Sequence, residues 1–204
     1  MNKYFITGIG TEVGKTIAAA IVTQALEADY WKPIQAGDLD ASDTHKVQNL
    51  VANEKTVFHQ NSFALKTPMS PHAAADIDGV KISSEEIREP KTKNNLVIEG
   101  AGGLLVPISH SETIADLIKP AHKVILVSRH YLGSINHTLL SIEALKARGL
   151  NCFGIIFNGE EHRSTEEVIL EMSGVKFLGR IDEEPYFDRA VVKEYAEAFR
   201  SKLQ

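Results

Sequence analysis

Nine residues near the start of the chain constrain its fold most: Gly8-Ile9-Gly10-Thr11-Glu12-Val13-Gly14-Lys15-Thr16. They follow the apolar run Tyr4-Phe5-Ile6-Thr7 and open a stretch of helical pattern that extends from Lys15 to Ala28. A strand, a glycine-rich turn and a helix in that order make a cradle for phosphate. Glycines let backbone N–H groups turn inward around phosphate oxygens, and the helix N-terminus adds partial positive charge. In such a loop Lys15 reaches the β- and γ-phosphates, and the Thr16 hydroxyl is a ligand for Mg²⁺. The spacing differs from the common form, because Gly8 and Gly14 enclose five residues rather than the usual four. The plainer alternative is a glycine-rich strand–helix turn that happens to carry Lys-Thr.

The rest of the chain repeats the strand–helix alternation. Leu96–Glu99, Val124–Val127 and Phe153–Phe157 are short and continuously apolar, with Lys176–Gly179 a weaker fifth run. Such runs suit strands covered on both faces, as in a parallel sheet. Helical pattern is expected over about Asp43–Ala52, Thr113–Ile118, Ile135–Ala147, Thr165–Met172 and Asp188–Leu203. The fold class that follows is α/β, a mostly parallel sheet with helices on both faces and right-handed crossovers, of the P-loop NTPase type. At 204 residues, a single domain spanning 1–204 is expected. The stretch from His59 to Lys93, with its prolines at 68, 71 and 90, is expected to be irregular and to lie beside a sheet edge.

Three further residues stand where open α/β sheets bind ligands, at or beyond strand C-termini. Glu99 ends a strand and precedes Gly100-Ala101-Gly102-Gly103, a second loop that permits close approach of phosphate or substrate. Asp43 lies in Asp40-Ala41-Ser42-Asp43 and can face the first loop or serve as a helix N-cap. Lys32, in the short strand Trp31-Lys32-Pro33-Ile34, can aim an ammonium at developing negative charge or simply face solvent.

Together these pieces resemble the dethiobiotin synthetase family over nearly the whole chain. The resemblance rests on Tyr4–Gly8 with Thr11–Thr16, on Lys32-Pro33, on Glu99–Gly103, and on Leu132-Gly133-Ser134-Ile135-Asn136-His137, with Pro68-Met69-Ser70-Pro71-His72 in support. It implies an ATP-dependent cyclo-ligase that converts 7,8-diaminononanoate and CO2 to dethiobiotin, through an N-carbamate and a carbamic–phosphoric anhydride. By the same resemblance Lys15, Lys32, Thr11 and Glu12 are the catalytic residues. The nucleotide is held by Gly10, Glu12, Val13, Gly14, Lys15, Thr16, Ile17, Asp43, Glu99, Gly100, Ala101 and Gly102, with Asn158 and Gly159 at the base. Thr16, Asp43 and Glu99 bind Mg²⁺. Thr11, Lys32 and the segment Leu132, Gly133, Ser134, Ile135 and Asn136 bind substrate. Because the family holds the substrate carboxylate with the partner subunit, a homodimer is implied. Lys32→Ala is expected to fold normally and to lose roughly 10²–10³ in turnover.

Three departures from the family pattern stand out. Ala36 replaces the usual hydroxyl residue four places after the catalytic lysine, Gly159 replaces an Asp after Asn158, and Asp182-Glu183-Glu184 occupies a segment that commonly carries Pro. The last two bear on base selectivity.

Composition narrows the remaining classes. Twenty-two Lys and Arg against 27 Asp and Glu give a net charge of −5, which argues against a nucleic-acid coat or a polybasic membrane anchor. The one cysteine, Cys152, forms no internal disulfide and reads as packed rather than reactive, in keeping with a cytoplasmic protein. The eight histidines lack zinc spacing. Rival classes are the partition and division-site ATPases, which typically carry a second lysine where this chain has Gly10, and the cobyrinate-type ligases, which add a glutaminase domain.

Overall fold

The computed structural model describes residues 1–203. In chain order the elements are β1 (Lys3–Gly8), α1 (Lys15–Leu26), β2 (Asp29–Trp31), β3 (Ile34–Ala36), α2 (Asp43–Leu50), β4 (Phe58–His59), β5 (Phe63–Leu65), α3 (Pro71–Asp78), β6 (Leu96–Gly103), β7 (Lys123–Arg129), α4 (Ser134–Ala147), β8 (Cys152–Asn158), α5 (Arg163–Ser173), β9 (Phe177–Ile181) and α6 (Arg189–Leu203). All five apolar runs become strands of one seven-stranded sheet ordered β4-β2-β6-β1-β7-β8-β9, and every pairing in it is parallel.

Alternation along the strands feeds two core layers, because successive side chains leave opposite faces of a sheet. On one face Tyr4, Ile6, Val97, Ile125 and Val127 pack against the small residues Ala18, Ala19 and Ala20 of α1 and against Val192 and Phe199 of α6. On the other face Phe5, Leu96, Ile98 and Val124 meet Ala74 and Ala75 of α3 and Leu145 of α4. Helix α5 covers the β8–β9 end through Ile169, which packs on Ile155 and Phe157. Cys152 is packed as its place in the sequence suggests, and burial pushes its thiol pKa up to about 12.

Three expectations need correction. Trp31–Ile34 is not one strand. Sheet pairing of β2 ends at Trp31, and β3 resumes at Ile34 in a separate two-stranded sheet with β5. Pro33 has no N–H to give a ladder, so the chain leaves the main sheet there. Second, the stretch from His59 onward is more regular than its prolines imply. Pro71 occupies the first turn of α3, where a missing N–H costs nothing, so it starts a helix rather than breaking one. Third, Thr113–Ile118 forms only a 3-10 turn over Ile114–Leu117, closed by a Thr113–Asp116 capping box. The detour through β3, β5 and α3 shares the main core, since Ile34, Leu65, Ala74 and Ala75 are buried with Phe5 and Ile98.

Candidate active site

The loop between β1 and α1 is held by backbone conformation. Gly14 adopts φ +92 at the N-cap of α1, a region L side chains rarely enter. A Cβ at Gly8 would lie 2.5 Å from Val13 Cγ2, so the loop packs closely on itself there. Helix α1 has no side-chain cap and no acidic residue in its first turn, so no side chain caps its first N–H groups. Lys15 folds back over the loop and its Nζ donates to the Gly10 carbonyl at 2.8 Å. Burial pulls the Lys15 pKa down to about 8; Glu99 acts against that shift and Lys32 adds to it.

Strand register brings the other groups to this loop. Tyr30 pairs with Val97 and Trp31 with Ile98, so continuing that register one residue sets Lys32 beside Glu99. Ile6 pairs with Glu99 from the opposite side. Glu99 is 1% exposed and Lys32 4%, which excludes the solvent-facing alternative for the lysine. The Lys32 ammonium lies 2.7 Å from Asp43 Oδ2 and 3.0 Å from Glu99 Oε1. Burial alone would lower the Lys32 pKa, but the two carboxylates outweigh it and raise it above the ordinary lysine value. Burial likewise opposes ionisation of Asp43, yet Lys32 and Lys46 hold its pKa below the usual range. The N-cap of α2 is Ser42, in a capping box with His45. That leaves the Asp43 carboxylate free to face the lysine.

Thr16 Oγ1 donates to Glu99 Oε1 at 2.9 Å. Thr16, Asp43 and Glu99 therefore offer oxygen donors only, the set a hard divalent cation takes. Among the described residues no group of three or more His, Cys, Asp or Glu could hold a metal ion. A site of this kind suits Mg²⁺, which binds through one or two carboxylates and completes its shell with phosphates and water.

These residues line one cavity of about 750 Å³ at the C-terminal edge of the sheet. Thr11, Glu12, Val13, Gly14, Lys15, Thr16, Ile17, Lys32, Asp43, Glu99, Ala101 and Gly102 all border it, and so does Ala36. Gly10 and Gly100 do not border it; Gly10 lines an adjoining groove, and Gly100 packs against Ile114 and Phe5. Asn158 reaches the loop from the end of β8, its Nδ2 donating to the Val13 carbonyl at 3.0 Å. Gly159 follows with φ +111 and open space beyond it. The segment Leu132–Asn136 does not border this cavity. It opens α4 on the outer surface, with Leu132 fully exposed and Ser134 buried.

Several neighbours of the site carry no motif. Tyr30 is completely buried, and its hydroxyl donates to Glu99 Oε2 at 2.7 Å. Burial first, and then the Glu99 charge, holds its pKa well above the ordinary tyrosine value. Gln35 Oε1 accepts from the Asp43 amide at 3.3 Å, tying β3 to the start of α2. Arg129 Nη1 donates to the Glu12 carbonyl at 3.4 Å. Alternation along β2 and β6, which puts residues 30, 97 and 99 on one face, was the one signal available for Tyr30.

A family model described as an AAA domain matches residues 2–191. An ATP-dependent dethiobiotin synthetase BioD from Christiangramia forsetii is 66% identical over 202 residues, covering 99% of this chain and 98% of that relative. The chain belongs to the ATP-dependent dethiobiotin synthetase family. A second family member, from Cytophaga hutchinsonii, is 47% identical and 96% of each chain is covered.

Solved structures place the fold of this dethiobiotin synthetase family member more widely. The septum site-determining protein MinD from Pyrococcus horikoshii, complexed with Mg-ADP, gives a TM-score of 0.61 at 17% identity, over 99% of this chain and 94% of that one. A ParA family ATPase from Chlorobium tepidum gives 0.55 at 13%, over 99% and 91%. Likeness at such identities is of fold alone, and it agrees with the P-loop NTPase architecture read from the strand–loop–helix pattern. The expected family resemblance is thus borne out at the level of sequence, while the partition and division-site class shares only the scaffold.

Proposed function

We propose that the chain closes the cyclic urea of dethiobiotin from 7,8-diaminononanoate, CO2 and ATP, releasing ADP and phosphate. The observation that carries this reading is the convergence of Lys15, Thr16, Lys32, Asp43 and Glu99 on one cavity in a chain 66% identical to a named synthetase. One substrate amine adds to CO2, forming an N–C bond and losing a proton to give the carbamate. A carbamate oxygen then attacks the γ-phosphorus and ADP leaves. The second amine attacks the carbonyl carbon of the resulting anhydride, expels phosphate and completes the ring.

Negative charge gathers on the carbamate and on the transferring phosphoryl group, and the chain meets it with two buried ammonium groups. Lys15 lies within the loop and Lys32 on the facing wall, where fixed positive charge costs no reorganisation during reaction. Thr11 and Glu12 stand at the loop's mouth to orient the diamine. Asn158, already bonded to the loop through Val13, has its Oδ1 left for a base edge. A Mg²⁺ ion held by Thr16, Asp43 and Glu99 would supply charge neutralisation at the phosphates.

The same reading makes the protein a cytoplasmic homodimer that takes small-molecule substrates. Leu132–Asn136 lies outside its own chain's cavity, and Tyr131, Leu132, Ile135 and Leu140 are exposed around the start of α4. Of these, Leu140 lines a largely apolar groove of about 400 Å³ that also borders Thr11. A second copy seated there would cover the apolar groups and bring its own Asn136 toward the substrate. Sedimentation at twice the chain mass is expected, and a monomer with full activity would remove the partner's segment from the site. Among the described residues no helix is long and apolar enough to cross a membrane.

The deciding experiment mixes purified protein with MgATP, bicarbonate and 7,8-diaminononanoate and follows dethiobiotin by mass spectrometry. Product requiring all three is expected. ATP hydrolysis indifferent to the diamine, with no product, would overturn the assignment and leave only a nucleotide site.

A further inference from the structure

Glu99 divides its two oxygens between opposite environments. Oε1 accepts from Thr16 Oγ1 at 2.9 Å and from the Lys32 ammonium at 3.0 Å. Oε2 turns inward and accepts from the Tyr30 hydroxyl at 2.7 Å. Tyr30 has little freedom to release it. The ring is completely buried, lies 6.0 Å from the Phe58 ring, and its strand register opposite Val97 puts it diagonal to Glu99 on the same sheet face. A phenol has one proton to donate, and here that proton fixes which carboxylate oxygen faces the phosphate loop.

We propose that Tyr30 is a positioning residue that restricts Glu99 to a single-oxygen presentation and thereby sets the preference of the nucleotide site for Mg²⁺ over Ca²⁺. The proposal rests on the reading of Glu99 as a metal ligand. Mg²⁺ demands a near-ideal octahedral shell, whereas Ca²⁺ takes six to eight oxygens and readily accepts both oxygens of one carboxylate. While the phenol holds Oε2, the carboxylate cannot turn to offer both. Without it, Thr16 and Lys32 still hold Oε1 but Oε2 has lost its donor, and the larger ion can take it as a second ligand.

The test measures ADP affinity by calorimetry in saturating Mg²⁺, in saturating Ca²⁺ and in EDTA, for wild type, Tyr30→Phe, Glu99→Gln and the double variant. Tyr30→Phe removes one oxygen and keeps the ring. It is expected to lower the Mg²⁺-to-Ca²⁺ affinity ratio by about 3–10-fold, chiefly by tightening Ca²⁺-ADP, with affinity in EDTA unchanged. The double variant is expected to match Glu99→Gln alone, since Tyr30 acts through that carboxylate. Equal weakening under all three conditions would mean Tyr30 only packs the core, and the proposal falls. An unchanged ratio in Tyr30→Phe, with metal enhancement lost in Glu99→Gln, also overturns it while leaving Glu99 a ligand. Metal enhancement that survives in Glu99→Gln overturns the ligand reading itself. Tyr30→Leu provides a second variant without the hydroxyl if the first melts early.

Discussion

At the scale of single residues, Lys32 ties the proposed chemistry to stability. Its ammonium is the shared partner of Asp43 and Glu99, and both it and Glu99 are buried. Removing one member of a buried ionic cluster leaves the others uncompensated, a loss of about 3–5 kcal/mol where no other donor remains. Here Thr16 and Tyr30 still donate to Glu99 and Lys46 still pairs with Asp43, so the cost for Lys32→Ala is placed at about 2–4 kcal/mol. The expectation that this variant folds normally is therefore revised: urea unfolding is expected to show a clear loss of stability beside the roughly 10²–10³ fall in turnover. A stability equal to wild type would mean the two carboxylates find other compensation. By pattern alone the sequence left Lys32 open between the site and solvent, and the resemblance at Lys32-Pro33 assigned it to the site. For Tyr30 the sequence offered only the alternation that places residues 30, 97 and 99 on one face, and an aromatic inside a short strand has the same pattern whether it packs a core or bonds a carboxylate.

At the scale of elements, the detour from β3 through α3 gives the cavity its far wall, where Pro68, Met69, Ser70 and Pro71 face the phosphate loop. The detour is pinned where β3 turns out of its strand. Gly37 has φ +73, and a Cβ there would lie 2.5 Å from Pro68 Cβ and 2.7 Å from Pro68 Cα. Backbone atoms cannot step aside cheaply, and a non-glycine residue in that region carries strain of order 1–3 kcal/mol. Gly37→Ala is expected to lower the melting temperature by several degrees and to raise KM for the diamine more than that for ATP, since the phosphate loop is untouched. A larger rise in KM for ATP would show that this wall serves the nucleotide. The main strands and the helices that cover them were legible because their apolar runs are covered on both faces. The pieces β4 and β5 were not, since they are only two and three residues long and half-buried, which leaves no period to detect. Likewise, Pro71 was read as a breaker because proline has opposite meanings at a helix start and in its interior.

At the scale of the whole molecule, the two ends of the sheet do different work. The C-terminal edge carries the cavity, and its charged groups are the ones proposed for phosphate chemistry. The opposite end is closed by Glu89, whose carboxylate meets Lys3 at the start of β1, Lys119, and His122 just before β7. His122 is buried against Phe5, with stacked rings 6.0 Å apart, so the cluster joins the central strands to the segment that precedes β6. Burial opposes ionisation of Glu89, but Lys119, Lys3 and His122 outweigh it and bring its pKa to about 2, from an unfolded value of 4.5. A carboxyl with a depressed folded pKa holds fewer protons when folded than when unfolded. Its stabilisation is complete above pH 4.5 and is lost as pH falls from 4.5 through about 2. Other depressed carboxyls, Asp29 and Glu166 among them, add to the acid limb of the wild type, so the slope alone does not isolate Glu89. The difference between wild type and Glu89→Gln cancels those groups and leaves Glu89 together with its partner His122, whose pKa burial lowers and the carboxylate raises. That difference is expected at about 1–2 kcal/mol near neutral pH, reduced by solvent screening of the exposed Lys119, and to shrink toward zero as pH falls below 4.5. Chemical denaturation across that range checks it, and a difference that stays constant with pH would show that the glutamine variant loses packing rather than charge.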